Sequence, residues 1–405
     1  MTIKNYDTAY ARLVGAVCAC ILCGILVAGL WPFHVPENQV TWRANNDGLY
    51  FGRYGSVLST GTFSANPLNE DSGGSIEIWL EPASLKSQHT ILSFDGSDHP
   101  GTPFSIHQYK DAVVLYRHNV DSYGTVRTAG FKVDNVFREE RPVFVTIVLG
   151  KQNTSVYVNG FLSKTSPPIG TSTNNLSGRL VLANSPGIDD SWSGQILGLV
   201  IYHRPLPAAQ VAQHYEGWMK NQRPALAQDE APVALYLFNE RAGDIVHNQL
   251  DPATDLVIPK RYFVLHSAFL RSPWREYHPS WSYWMDVGIN IAGFIPMGFC
   301  VVAYFSSVRT MERAAAATIV LGFVTSLTIE TLQAFLPTRD SGMTDLITNT
   351  LGTAIGVILY RLCVTRQLLT KAKHYGPNTN ISTCMVRELA TVSANSVTAG
   401  KSTEI

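Results

Sequence analysis

The sequence predicts a multidomain chain with two architectures. One is an α-helical membrane bundle of four spans; the other is an all-β sandwich inserted between the first span and the second. Three observations predict this. Four stretches stay apolar over the ~20 residues that a helix needs to cross a bilayer. From about Val40 to Leu265 the long apolar runs give way to short alternating ones, broken by Gly, Asn, Asp and Pro. Lys and Arg gather at one set of span ends. The composition is neutral, with 31 Lys+Arg against 31 Asp+Glu in 405 residues, 15% charged and 45% hydrophobic. That excludes a disordered acidic or basic chain, and nothing favours a nucleic-acid groove.

The spans run from Leu13 to about Phe33, Val287 to Ser306, Ala314 to Leu336, and about Met343 to Cys363. The first reads as a retained anchor. Its apolar run exceeds the ~7–15 residues of a signal-peptide core, and no small-residue cleavage site follows before Leu30-Trp31-Pro32-Phe33. Lys4 and Arg12 precede span one, Arg309 and Arg313 link spans two and three, and Arg361, Arg366, Lys371 and Lys373 follow span four. Basic flanks mark the cytoplasmic side, so both termini are expected inside and residues 37–285 exported. The segments 1–12, 307–313 and 361–405 hold ten Lys/Arg and four Asp/Glu, a net +6 that the remainder balances at −6. The expected divisions are 1–36 (N-terminus and first helix), 37–266 (sandwich), 267–286 (juxtamembrane linker), 287–363 (helices two to four) and 364–405 (a disordered Ser/Thr/Asn-rich tail). All six cysteines lie in spans or tail and none in the exported segment, so no disulfide framework is expected there.

Strands are expected at Ser75–Glu81, Thr90–Phe94, Pro103–Gln108, Ala112–Arg117, Val143–Leu149, Ser155–Val158, Arg179–Ala183, Gln195–His203 and Val233–Phe238. Many short strands at regular spacing indicate a sandwich or barrel. Asn159-Gly160 is a favoured hairpin turn, and Pro207–Trp218 is the one clear helical stretch. With SIEIWLEP, HTILSF, VTIVLGKQNTSVYVNG, GQILGLVIYHRPLPAAQVAQHY and ALYLFNERAG, the segment resembles a concanavalin A-like, laminin-G-like jelly roll. Relatives of that kind bind glycans, bind proteins or hydrolyse polysaccharides.

Each outcome has its own residues. Glu77 and Glu81 share a strand face with Trp79 between them. Family-16 glycoside hydrolases carry an E-x-D-x-x-E-type strand with two working carboxylates, but Trp79 stands where the intervening Asp should be. Packing of Trp79 in the sheet, with solvated or paired glutamates, is the expectation. A glycan site could use Tyr109, Tyr116, His118, Tyr123 or Trp192. No cofactor is expected; a calcium site in the jelly roll could draw on Asp95, Asp98, Asp189 or Asp190.

Polar residues inside the spans carry the sharpest signal, since lipid burial of such groups is costly. Asp286 and Asn290 lie at the outer end of span two, Glu330 and Gln333 at that of span three, and Asp345 and Asn349 at that of span four, with Arg339 in the loop between. Gly352 and Gly356 form a G-x-x-x-G that allows close helix contact, and Gly293 and Gly298 are expected to act likewise. The run Asp286-x-x-x-Asn290-x-x-x-Phe294-Ile295-Pro296-Met297-Gly298-Phe299, then Glu330-x-x-Gln333, Pro337-x-Arg339-x-Ser341 and Asp345-x-x-x-Asn349-x-x-Gly352-x-x-x-Gly356, resembles the VanZ-like membrane family. That family's name comes from a protein linked to teicoplanin resistance. The resemblance implies a bacterial cell-envelope role in the inner membrane, without naming a reaction.

Two readings of the polar cluster stay open. It is a hydrogen-bond network holding the helices, or a pocket for a lipid headgroup or lipid-linked precursor, with Arg339 on a phosphate and Asp286, Glu330 or Asp345 as acid or base. No metal motif is present. The expected partners are membrane lipids and an envelope glycan or lipid-linked precursor, not nucleic acid. A membrane-embedded enzyme and an assembly module that binds a protein are the alternatives, and oligomeric state is not fixed.

Overall fold

The computed structural model describes residues 3–44, 46–64, 73–96, 104–120, 126–139, 141–169, 176–221, 232–267, 269–277, 279–307 and 310–375. The chain forms two compact units. One comprises residues 1–31, 269–333 and 341–405; the other comprises residues 32–268 and 334–340.

The second unit is a sandwich of two antiparallel sheets. In chain order its strands are β1 (Val40–Trp42), β2 (Leu49–Phe51), β3 (Val57–Phe63), β4 (Gly74–Pro82), β5 (Thr90–Asp95), β6 (Phe104–Tyr109), β7 (Ala112–Val120) and β8 (Val126–Val133). They continue as β9 (Val143–Leu149), β10 (Thr154–Val158), β11 (Phe161–Ser166), β12 (Gly178–Leu182), β13 (Gly194–Tyr202), β14 (Pro232–Tyr236), β15 (Ile245–Val246) and β16 (Leu256–Val257). One sheet runs β1-β2-β13-β4-β9-β10-β11, with β14 paired to the far end of β13; the other runs β15-β16-β3-β12-β5-β6-β7-β8. Inward side chains such as Ile76, Ile78, Leu80, Phe94, Phe104, Leu115, Val145, Leu180 and Leu199 meet in one core between the sheets. At Asn159-Gly160 both residues have positive φ, 51° and 80°, and Val158 pairs with Phe161 across a two-residue turn. That is the geometry an Asn-Gly hairpin adopts.

Every strand expected from the sequence forms, within a residue or two at its ends except β7, which runs three residues past Arg117 to Val120. Those not expected are the short β1, β2, β15 and β16, together with β3, β8 and β11. β11 (FLSKTS) is an edge strand with nearly every side chain exposed, so it lacks the alternation that marks a half-buried strand.

Among the described residues one α-helix belongs to this unit. In chain order the helices are α1 (Ile3–Leu30), α2 (Ala208–Asn221), α3 (Pro273–Glu276), α4 (Trp281–Ser306), α5 (Met311–Gln333) and α6 (Met343–Tyr375). The sandwich helix, α2, covers the outer face of β4, β9 and β13, where Phe144, Val148, Val200, Tyr202, Val211 and Trp218 form a second core. β9 (VFVTIVL) is therefore buried on both faces, which is why it reads as a continuous apolar run.

In the helical unit, α1, α4, α5 and α6 are long and apolar enough to cross a membrane. Their ends depart from the sequence reading. α4 starts at Trp281 rather than Val287, because Ser280 caps it by accepting the Tyr283 N–H at 3.2 Å. Residues 273–276 of the expected linker are also helical, with Pro273 at the first helical position. α6 continues past Cys363 to Tyr375, so the first part of the expected disordered tail is helix; Gly376-Pro377 follows. The rest of that tail lies outside the described residues. Small residues set the packing. A Cβ on Gly352 or Gly356 would collide with the carbonyl oxygens of Ile291 or Ile295, and one on Gly298 with that of Thr353. α4 and α6 thus touch backbone to backbone, as such motifs allow. Gly293, expected to share this role, has open space where a Cβ would stand.

Candidate functional sites

Six of the seven polar residues predicted to converge are in the helical unit. Asn290 donates from Nδ2 to Asp345 Oδ1 at 2.7 Å, tying α4 to α6. Asn349 donates to Ser326 Oγ at 3.0 Å, tying α6 to α5. Gln333 donates to the Gly29 carbonyl at 2.8 Å, tying α5 to α1. Glu330, almost fully buried, accepts the Gly342 N–H at 2.8 Å, just before α6 begins. Asp286 is exposed one turn before Asn290. Arg339 is half-buried in the 334–340 segment, which belongs to the sandwich unit.

Sequence reasoning missed one member. Glu276 on α3 accepts from the Thr344 N–H at 3.1 Å and from its hydroxyl. Glu330 and Glu276 therefore approach the start of α6 from different elements, where free N–H groups and the helix dipole favour negative charge. Ser272-Pro273 before Trp-Arg-Glu is a legible helix start, but the segment is too short to stand out from a linker.

On the sandwich, the β4 carboxylates do not form an open pair. Glu77 is fully buried beneath α2, with its oxygens 3.0 and 3.1 Å from His214 Nδ1 and accepting from the Tyr202 hydroxyl at 3.0 Å. Trp79 packs edge-on against Trp218 of α2. A glycosidase needs both carboxyl groups in reach of a sugar ring, and α2 denies that to Glu77.

The opposite sheet carries a polar and aromatic face that is partly exposed. Register aligns Ser105, Tyr116 and Gly130 in one row across β6, β7 and β8, and His107, Val114 and Lys132 in the next. Tyr116 lies over Gly130 and meets the His107 ring edge-on at 4.9 Å. Tyr109, two residues beyond His107 and 40% exposed, has the Lys110 and Lys132 ammonium groups 5.8 and 5.2 Å from its ring centre. Asp190 borders the face, 3.0 Å from His89 Nδ1 and 3.6 Å from His107 Nδ1, and it accepts from the Thr90 hydroxyl. The hydrogen bond that His89 donates to Asp190 raises its pKa above the ordinary imidazole value, against partial desolvation.

Of the other aromatics considered for a glycan, Trp192 is a core residue; its indole N–H donates to Gln108 Oε1 at 2.6 Å. Tyr123 lies outside the described residues. His118 stands on β7 two positions beyond Tyr116. Among the calcium candidates, Asp98 lies outside the described residues. Asp95 is buried 3.0 Å from His266 Nδ1, Asp189 accepts from the Tyr262 hydroxyl at 2.5 Å, and Asp190 is engaged as above. Among the described residues no three His, Cys, Asp or Glu side chains are placed to hold a metal ion.

Residues 232–364 match the VanZ/LLP1 family, and residues 54–212 match the concanavalin A-like lectin/glucanases superfamily. The first match takes in β14 to β16 as well as the helices that follow. No curated protein matches the chain. Among solved structures the chain is similar to a candidate carbohydrate-binding protein from Bacteroides ovatus ATCC 8483, at 10% identity over 55% of this chain, with a TM-score of 0.38. It spans 58% of that protein's length. A heptameric SAP-like pentraxin of Limulus polyphemus matches at 14% identity over 49% of this chain and 89% of its own, with a TM-score of 0.34. The CBM40 of the Ruminococcus gnavus IT-sialidase, bound to α2,3-sialyllactose, matches at 13% over 41% and 95%, with a TM-score of 0.30. The chain joins a concanavalin A-like sandwich to a VanZ-like helical segment and is a membrane protein.

Proposed function

We propose that the chain is a multi-pass protein of the bacterial inner membrane that holds its sandwich outside the cytoplasm and binds an envelope glycan on the β6–β7–β8 face. The observation that carries this reading is the grouping of Tyr109, Tyr116, His107, His89 and Asp190 on one partly exposed face. Tyrosine rings offer apolar surface to sugar C–H groups, while the carboxylate and imidazoles exchange hydrogen bonds with hydroxyls. The superfamily match supports it, since its description is of lectins and glucanases. Burial of Glu77 favours binding over hydrolysis on this domain.

The basic flanks support the orientation, with Arg12, Arg313, Arg361 and Arg366 at the ends of spans opposite the polar cluster. For the cluster we favour the helix-holding role, because Asn290, Gln333, Glu330 and Asn349 each hydrogen-bond to another element of the bundle or its flank. The lipid-linked ligand remains its competitor.

The test is a glycan array and titration calorimetry on full-length protein in nanodiscs. Tyr116→Ala is expected to weaken binding about tenfold, the ~1.4 kcal/mol of one stacked ring. Binding unchanged in both Tyr116→Ala and Asp190→Ala would remove this face from consideration. Lipid-linked glycan that co-purifies and is lost on Asp345→Asn would overturn the helix-holding role.

A further inference from the structure

The helical unit has a chemically distinct end. α1 and α4 run antiparallel, with Gly15 against Tyr304. Gln333 meets Gly29, and Asn290 meets Asp345. The last turns of α1 and α5 and the first turns of α4 and α6 therefore share one end. Four of the eight tryptophans lie in the sandwich, at positions 42, 79, 192 and 218. The other four, Trp31, Trp274, Trp281 and Trp284, all lie at this one end of the helical unit. They are 63, 89, 80 and 56% exposed.

These indoles stand on a fixed base. Arg271 N–H donates to Ser341 O at 3.0 Å, and Met343 N–H donates to Arg271 O at 2.9 Å. Glu276, two residues after Trp274, is bonded to Thr344. The Glu276 carboxylate lies within 2.0 Å of where a Cβ on Gly342 would stand, so a larger residue there would displace that carboxylate. Tyr277 meets the Tyr283 ring edge-on at 5.6 Å, and Tyr283 meets Trp284 at 5.4 Å. Trp281, Trp284 and Met285 share a face of the first turns of α4 and are all exposed.

We propose that residues 269–277 and 279–284 form an interfacial anchor, with Trp274, Trp281 and Trp284 seated in the headgroup and ester layer of the leaflet next to the polar cluster. Three features select a lipid interface as the occupant. Indole has an apolar body and one N–H donor, which suits a boundary that is apolar on one side and wet on the other. The exposed rings continue directly into α4, which is long and apolar enough to span. The opposite span ends carry Arg12, Arg313, Arg361 and Arg366 and no tryptophan. The anchor rests on the chain being embedded in a membrane, and it holds for either orientation.

The experiment uses the full chain in phosphatidylcholine vesicles whose acyl chains carry bromine either near the ester or near the bilayer centre. About half of the tryptophan fluorescence is expected to be quenchable, more strongly by shallow bromine than by deep bromine. Changing Trp274, Trp281 and Trp284 together to Phe keeps the apolar bulk. It is expected to cut the quenched intensity about fourfold, leaving Trp31 as the reporter. Vesicle flotation separates the two levels of the proposal. Protein that floats but is quenched more by deep bromine, or equally with and without the three indoles, overturns the anchor and leaves the membrane reading intact. Protein that fails to float overturns both. Absent quenching, together with a cross-linked dimer that Trp274→Ala abolishes, would assign the surface to a second copy and overturn the lipid assignment.

Discussion

His214→Ala should unfasten α2 from the sandwich. The wild-type pair places His214 Nδ1 3.0 and 3.1 Å from the two Glu77 oxygens, with both side chains fully buried. Tyr202 donates to the same carboxylate and stacks against the imidazole with ring centres 5.9 Å apart. Removing one partner leaves a buried charge without its counterpart, a change that costs about 3–5 kcal/mol. In a domain of this size each kcal/mol moves Tm by ~2–4 °C, so a fall of roughly 10 °C is expected. Replacing both residues, as Glu77→Leu with His214→Leu, removes the desolvated charge altogether and should cost much less than the sum of the single changes. Thermal unfolding of the full chain in detergent, followed by near-ultraviolet circular dichroism, reads the right place because Trp79 and Trp218 pack in the core beneath α2. Single variants within about 2 °C of the parent would refute the pair as the fastener, since even ~1 kcal/mol would show. A double variant as damaged as the sum would refute the charge argument.

Three further outcomes follow from the geometry. Gly298→Val or Gly356→Val puts side-chain atoms where the backbone of the facing helix stands; overpacking of this kind costs about 1–3 kcal/mol, and cysteine cross-links between α4 and α6 should weaken. Glu330→Gln keeps an acceptor for the Gly342 N–H and should retain detergent stability, whereas Glu330→Ala should lower it by about 1–3 kcal/mol, seen as earlier thermal aggregation. His89 has its pKa raised in the folded protein by the Asp190 hydrogen bond. Its contribution to stability is therefore fully present below the unfolded imidazole value and is lost as pH rises through the raised folded value. Tm measured across that window should fall with pH in the parent, and the His89-dependent part of the slope should vanish in Asp190→Asn.

The fold was legible wherever one period dominated. The apolar runs located all four long helices, and alternation located β4, β5, β6, β7 and β13. Boundaries were less legible because caps, not hydrophobicity, set them. Ser280 starts α4 within a Trp-rich segment that no hydropathy rule favours, and α6 continues through Lys371 and Lys373 because no helix breaker appears before Gly376. The polar positions in the spans were readable because lipid makes each one costly. Asn290 found its partner within the predicted set, at Asp345, but the other partners were not legible, since Gly342 and Gly29 engage through their backbone and Ser326 is an ordinary residue of a span. Trp192 shows the converse failure: an aromatic in a polar loop reads as a binding residue, yet its indole N–H finds Gln108 inside the core. Glu77 is paired, as expected, but its partner His214 was not legible because the helix that carries it follows more than a hundred residues later in the chain.

The placement of the sandwich between α1 and α4 has a physical basis on both sides of the junction. Within the sandwich unit, the arriving and departing chains lie side by side: Asn38 N–H donates to Lys260 O at 3.2 Å, Tyr262 N–H donates to Pro36 O at 3.0 Å, and Glu37 and Arg261 pair as an antiparallel bridge. Within the helical unit, the last turn of α1 and the first turn of α4 are at the same end. A domain whose two ends are hydrogen-bonded together can interrupt a loop without prying apart the elements on either side. The insertion therefore leaves the glycine contacts between α4 and α6 undisturbed. If so, the 36–39 and 260–262 ladder matters to the helices as well as to the sandwich. Asn38→Pro, which removes one of its N–H donors, should loosen α1 from α4 in cross-linking while leaving α4–α6 cross-links at the parent level. Loss of both sets together would show that the helices depend on the sandwich core rather than on its closed ends.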